Sequence, residues 1–241
     1  MYTDTLDAVE TRLLMHSSAD IVESVIRSRK AVRVFRPDAV SRQDIEEILD
    51  LGSTAPSNSN TQPWHEHVLS GDARRKLSEA LAHAHADDTY PPFQYMPDSL
   101  PDCCRSRQED FGARCYDALG IDKANVAARA AATGRNFDFF GVPVGIVFTI
   151  GARLKKYSWL DYGLFLRSIM IAARERGLDT CPQVSFARYR TIIAAELDIE
   201  PGHEIACGMS IGYAQKNSVV IKLAMPRALV DQFAKFSGFN E

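Results

Sequence analysis

The chain has no long hydrophobic run. Its longest apolar stretch, Val142–Ile150, falls well short of the ~20 residues a membrane-spanning helix needs. No apolar segment follows Met1-Tyr2-Thr3-Asp4, so no secretory signal is expected. Charge of neither sign is in large excess: 28 Lys and Arg against 31 Asp and Glu leave a net −3 and a pI near 6.1, which argues against a general nucleic-acid or anionic-membrane binder. The cysteines at 103, 104, 115, 181 and 207 are odd in number and irregularly spaced, the pattern of reduced thiols in a cytoplasmic protein rather than a disulfide frame. No Ser or Cys occupies a nucleophile elbow. His65-x-His67 would put two imidazoles on one side of a strand, but no third ligand has useful spacing, so no metal site is expected. Glycine is missing where phosphate cradles need it: neither G-x-G-x-x-G after a strand nor G-x-x-x-x-G-K-[ST] occurs. Any phosphate must therefore be held by side-chain cations.

What is present reads as one α+β domain over residues 1–241, with no internal repeat and no dividing linker. Residues 1–16 read as a loosely held arm. Ser17 or Ser18 can cap a helix carrying Ile21, Val22, Val25 and Ile26 on one stripe. Ser41-Arg42-Gln43-Asp44 opens another helix in capping-box fashion. Strands are expected at Trp64–Leu69, Val142–Ile150, Leu178–Gln183 and Glu204–Ala214, and helices at Asp72–His85, Asp161–Arg176 and Phe186–Leu197. Gly177 stands in the usual C-terminal position of the second of these helices. That helix is apolar on nearly every side and must be buried all round, in the domain centre or at a subunit interface. Tyr90-Pro91-Pro92-Phe93 breaks the pattern. Pro97 to Asn136 then reads as two helices interrupted near Gly120, with too little apolar periodicity for a core; this stretch is expected to pass over a site as a lid.

Two stretches carry the chemistry. Arg27-Ser28-Arg29-Lys30-Ala31-Val32-Arg33-Val34-Phe35-Arg36 interleaves cations with Val32, Val34 and Phe35, an extended segment leaving a helix. Alternation puts Arg29, Ala31 and Arg33 on one side, where two arginines could hold a compact anion at more than one point. One helix later comes Ala55-Pro56-Ser57-Asn58-Ser59-Asn60-Thr61-Gln62-Pro63-Trp64, rich in hydroxyls and amides and opening into a strand.

In this order the two stretches resemble the opening of the FMN-dependent nitroreductase family, whose pattern is R-x-S-x-R-x-F, a helix, then A-P-S-x-x-N-x-Q-P-W. The second motif matches at every specified position; the first departs at Ala31, where the family usually has Ser. The resemblance extends over roughly residues 20–230. It implies a central, mostly antiparallel sheet surrounded by helices in an intertwined homodimer, with residues 226–241 as a tail on the partner. It implies FMN at the interface, with Arg29 and Lys30 at the phosphate and ribityl end, Ala31 among the cofactor-binding positions and Arg33 near the N1–C2 edge. Pro56, Ser57, Asn58 and Asn60 would reach the flavin from the partner subunit. Pro182, Gln183 and Val184 match the stretch passing the ring, with a backbone donor near N5; Val184-Ser185 replaces a frequent Glu-Gly. Lys222 and Arg227 are the candidates to complete the phosphate site, Arg227 foremost.

The implied reaction is ping-pong: NADH or NADPH reduces FMN, and an electron-poor aromatic, a nitroaromatic or a quinone, then takes two electrons. No side-chain general acid is required, so no catalytic side chain is assigned. The rival expectations are reductive dehalogenation of halophenols, a non-catalytic flavin-binding protein, and a nucleic-acid module using Arg27–Arg36, the last disfavoured by the acidic balance.

Overall fold

The computed structural model describes residues 19–87, 97 and 99–239. Its centre is strand β2 (Val144–Gly151), in which every residue but the last is buried. Val144, Ile146, Phe148 and Ile150 alternate onto one face and Gly145, Val147 and Thr149 onto the other. Both faces are covered, which is why the stretch reads as a continuous apolar run. β2 pairs with β1 (His65–Ser70) on one side and β4 (His203–Gly212) on the other, and β4 pairs with β3 (Asp179–Gln183). The order is β1-β2-β4-β3 and every pairing is antiparallel.

One face of the sheet is covered by α2 (Arg42–Ser53) and α6 (Lys156–Glu175), through Ile45, Ile48, Phe165 and Ile169. The Ser41 hydroxyl caps α2 by accepting the Asp44 N–H at 3.0 Å, and it donates its own proton to the Asp44 carboxylate. On the other face the rings of Phe139 and Phe186 lie 4.7 Å apart. They rest on Gly145 and Gly208, where a Cβ would come within 2.6 and 2.8 Å of them. Phe139, Phe140 and Gly141 take φ of 48°, 56° and 72°, a left-handed run that turns the first ring back onto the sheet. Leu77 and Leu81 of α3 (Gly71–Asp87) and Ile193 of α7 (Arg190–Glu196) close this second core.

The Pro97–Asn136 stretch holds the two expected helices, α4 (Asp102–Ala118) and α5 (Val126–Gly134), with the break at Gly120; neither contains a buried residue. α6 starts at Lys156 rather than Asp161, because no side chain caps its start and the sequence bears no marker there. Its far side stays open: Tyr157, Leu160 and Leu164 are exposed, so burial on all sides does not occur within one chain. α1, described over residues 19–28, likewise leaves Ile21, Val22 and Ile26 uncovered. The stretch expected as a helix from Phe186 begins as a 3-10 turn, Val184–Tyr189, before α7. The predicted N-terminal arm, the Ser17 or Ser18 cap and the Tyr90–Phe93 break lie outside the described residues.

Candidate functional site

The basic segment is extended and stitched to the sheet at both ends. Ala31 bridges Thr180 of β3 in parallel and Phe35 bridges Ala214. The Val32 N–H donates to the Thr180 carbonyl at 3.0 Å and the Arg36 N–H to the Tyr213 carbonyl at 2.8 Å. Val32 and Phe35 are buried and fix the segment's orientation. At its start Arg174 of α6 donates to the Ser28 hydroxyl at 3.1 Å while pairing with buried Asp179 at 3.3 Å.

This leaves an unusual grouping around Arg29. Burial lowers the Arg29 pKa most, and the guanidiniums of Arg167 and Arg227 lower it further; no carboxylate opposes them. The Arg29 Nε is buried without a hydrogen-bond partner. Three like charges, one of them half-buried, cost free energy unless an anion joins them. Arg33 lies farther along on the same side: both it and Arg29 act on the Cys181 thiol, which burial nevertheless pushes up to about 11. The Arg33 guanidinium stands 5.4 Å from the centre of the Phe111 ring of α4, and its Nη1 donates to the Ala31 carbonyl at 3.4 Å. Arg135 donates to the Arg33 carbonyl at 3.2 Å. Lys30 is committed elsewhere, its ammonium donating to the Ile221 carbonyl.

Residues 56–62 form a different kind of structure. Ser59, Asn60 and Gln62 have φ of 51°, 58° and 47°, a run of left-handed non-glycine backbone of the sort concentrated at binding sites. Asn58 donates its N–H to the carboxylate of Asp161, a buried residue of α6, at 3.1 Å. Ser57 accepts from the Gln62 N–H at 3.1 Å. Trp64 stacks on Phe165 at 4.6 Å and 6° and anchors the exit. Pro56, Asn58 and Asn60 are exposed. Among the described residues, no hydrogen bond or ion pair joins this loop to Arg29–Arg33 of the same chain.

At the end of β3, Pro182 faces Met209 in the ladder and Gln183 is buried. The buried Gln183 amide donates to the Asn136 carbonyl at 2.6 Å and lies 2.9 Å from the Ser210 hydroxyl. Val184 is exposed, and the neighbouring Ser185 hydroxyl is buried with no partner. In the C-terminal part, Arg227 is exposed and lines a groove of about 320 Å³ with Arg107, Phe111 and Met225. Lys222 ends the turn Val219–Lys222, and its side chain lies outside what is described.

Sequence reading missed Arg167 and Asp161. An Arg in a largely greasy helix reads as a solvated exception, and the Asp161–Asn58 bond spans too much chain for any spacing rule. The structure also adds His203, whose ring packs edge-on against His65 at 5.0 Å. Among the described residues, no set of three or more His, Cys, Asp or Glu is placed to hold a metal.

The sequence profile of the Nitroreductase family matches residues 26–213. The chain is 51% identical over 221 residues to a 4-nitrobenzoate reductase of Pseudomonas putida, covering 92% of this chain and 97% of that one. It is 34% identical to a nitrobenzene nitroreductase of Ectopseudomonas oleovorans, over 91% of this chain and 98% of the relative. Its fold superposes with a TM-score of 0.87 on the crystal structure of the FMN-dependent nitroreductase NfnB from Mycobacterium smegmatis in complex with NADPH, at 34% identity and covering 91% and 99% of the two chains.

Proposed function

The chain belongs to the nitroreductase family, and we propose that it is an FMN-dependent NAD(P)H oxidoreductase that reduces nitroaromatic compounds, nitrobenzoates foremost. The observation that carries this reading is the Arg29–Arg167–Arg227 grouping with its unpartnered Arg29 Nε, a cation site that fits a phosphate monoester. Bound there, FMN supplies two-electron hydride transfer from a reduced nicotinamide to a nitro group or a quinone. The chain's own part is binding and charge. Arg29, Arg167 and Arg227 hold the phosphate. Arg33, braced by Phe111, is the cation assigned to the N1–C2 edge. The backbone at Gln183–Val184 supplies a donor to the ring. Lys30 acts through Ile221 by holding the turn that leads to Arg227.

The second half of the site comes from another copy of the chain. The Pro56–Asn60 loop is largely exposed and makes no described bond to its own basic segment, and apolar surfaces lie open on α1, α6 and the tail. Leu229, Phe233, Phe236 and Phe239 are all more than 60% exposed, more than a free monomer ordinarily leaves in one segment. A homodimer in which the 226–241 tail lies on the partner covers these surfaces. The protein so assembled is one domain per chain, with residues 97–136 over the site. Among the described residues no helix is long and apolar enough to cross a membrane, and the cysteine usage fits the cytoplasm.

The test is the absorption spectrum of the pure protein followed by anaerobic NADPH and NADH oxidation with 4-nitrobenzoate, nitrobenzene and a halophenol in parallel. A flavin spectrum with turnover of the nitro compounds is expected. Preferential halophenol turnover would replace the proposed reaction with reductive dehalogenation. A yellow protein inert to all acceptors would leave a flavin carrier, and a colourless protein that takes up no FMN would overturn the proposal.

A further inference from the structure

We propose that Cys103 and Cys104 form a dithiol site for a trivalent arsenical, held as a dithiolate at the N-terminal end of α4. Both thiols are exposed and free, and their sulfurs lie 3.9 Å apart in the first turn of the helix. Neighbouring helical residues usually diverge by about 100°, so contact between the two sulfurs is a property of this turn. The separation is far longer than the ~2.05 Å of a disulfide, which leaves both thiols intact. It is short enough that small χ1 rotations bring both onto one atom. The contact with Cys103 also pushes the Cys104 thiol up from its ordinary range. Arg107 lies near enough to act in the opposite direction on the same thiol.

The number of donors selects the ligand. Structural zinc takes four ligands in a tetrahedron, and among the described residues no third His, Cys, Asp or Glu joins this pair. Trivalent arsenic that already bears one organic group needs two thiolates and no more. With an arsenoxide, two As–S bonds form and the As–O bonds break. Both thiol protons leave with the oxygen as one water, and arsenic stays trivalent, so no oxidant or reductant is consumed. The second As–S bond closes within the chain at high effective concentration, which makes the pair far better than either thiol alone. The site lies two helical turns before Phe111 and depends on nothing assumed about the flavin.

The experiment uses phenylarsine oxide on the purified full chain, read by intact mass. One phenylarsenic per chain is expected, removed by a dithiol such as 2,3-dimercaptopropanol and retained against an excess of monothiol. Cys103→Ser or Cys104→Ser should each weaken capture by about 100-fold, while Cys115→Ser leaves it unchanged. Circular dichroism checks that each variant is folded. No adduct on the wild-type chain, or an adduct that survives in the Cys103→Ser, Cys104→Ser double variant, would overturn the proposal.

Discussion

The basic segment and the Pro56–Trp64 loop match the same family pattern with similar fidelity, yet the structure treats them in opposite ways. Residues 29–36 are knitted into their own chain: two bridges to the sheet, buried Val32 and Phe35, and the Ser28–Arg174–Asp179 link at the start. Among the described residues Arg36 pairs with Asp38 at 3.0 Å, whereas Arg29 and Arg33 have no carboxylate partner. Residues 56–62 have the reverse balance, with no surplus charge but a left-handed backbone held to α6 through Asp161 and presented outward. One region is tied to its own chain yet holds two arginines without a described carboxylate partner; the other carries no surplus charge and holds a left-handed shape with no described bond to the first. On the proposed reading they are the two halves of one site, carried on different copies.

Breaking the electrostatic half should give the largest effect. Arg29→Met is expected to weaken FMN binding by about 100-fold, the equivalent of one lost charged hydrogen-bonding partner. In the flavin-free protein the same change should leave the thermal midpoint equal or higher, because it removes a desolvated charge from between two others. A calorimetric scan with and without FMN reads both signs, and an equal loss in the two states would contradict the account.

The loop region contains its own contrast. Asp161 is a buried acid with a partner, whereas Glu66 of β1 has a buried, unpartnered carboxyl oxygen and is pushed by burial to about 7. Because the folded chain holds that proton more tightly than the unfolded chain, stability contributed at low pH is lost as pH rises from about 4.5 to about 7. Glu66→Gln should therefore match wild type near the lower limit and exceed it above the upper one, by at most about 3 kcal/mol. Urea unfolding at both pH values measures the difference. Asp161→Ala should act the other way, costing about 2 kcal/mol through the freed Asn58 N–H and lowering turnover through the loosened loop. The smallest effect is expected for Phe111→Leu. Loss of the ring beside Arg33, worth about 1 kcal/mol, should shift the flavin reduction potential without changing flavin content, and Phe111→Tyr should restore it.

The parts legible in the sequence were those written in local pattern. β2 announces itself by branching and length, the α4–α5 break by Gly120, and the end of α6 by Gly177, whose φ is 73°. The two motifs mark Arg29, Arg33 and Asn58 as site candidates by local pattern alone. What stayed hidden depends on contacts between distant segments. Arg167 becomes a phosphate candidate only once α6 lies beside the basic segment. Gln183 loses its side chain to Asn136 and Ser210 only after the Phe139 turn folds back. The start of α6 was misplaced because Lys155 gives the helix no side-chain cap. Its exposed leucines fit either the domain centre or a subunit interface in the sequence, because a sequence does not say in which chain a surface is buried.

The most direct test joins the two halves by subunit complementation. Chains carrying Arg29→Met and chains carrying Asn58→Ala with Asp161→Ala are co-expressed under different tags and purified as the mixed dimer. Each homodimer should reduce 4-nitrobenzoate poorly. The mixed dimer, with one site wholly intact and one doubly defective, should regain about half the wild-type rate with one FMN bound per pair. Mixed dimers no better than either parent, or an active flavin-bearing monomer, would contradict a site shared between two chains.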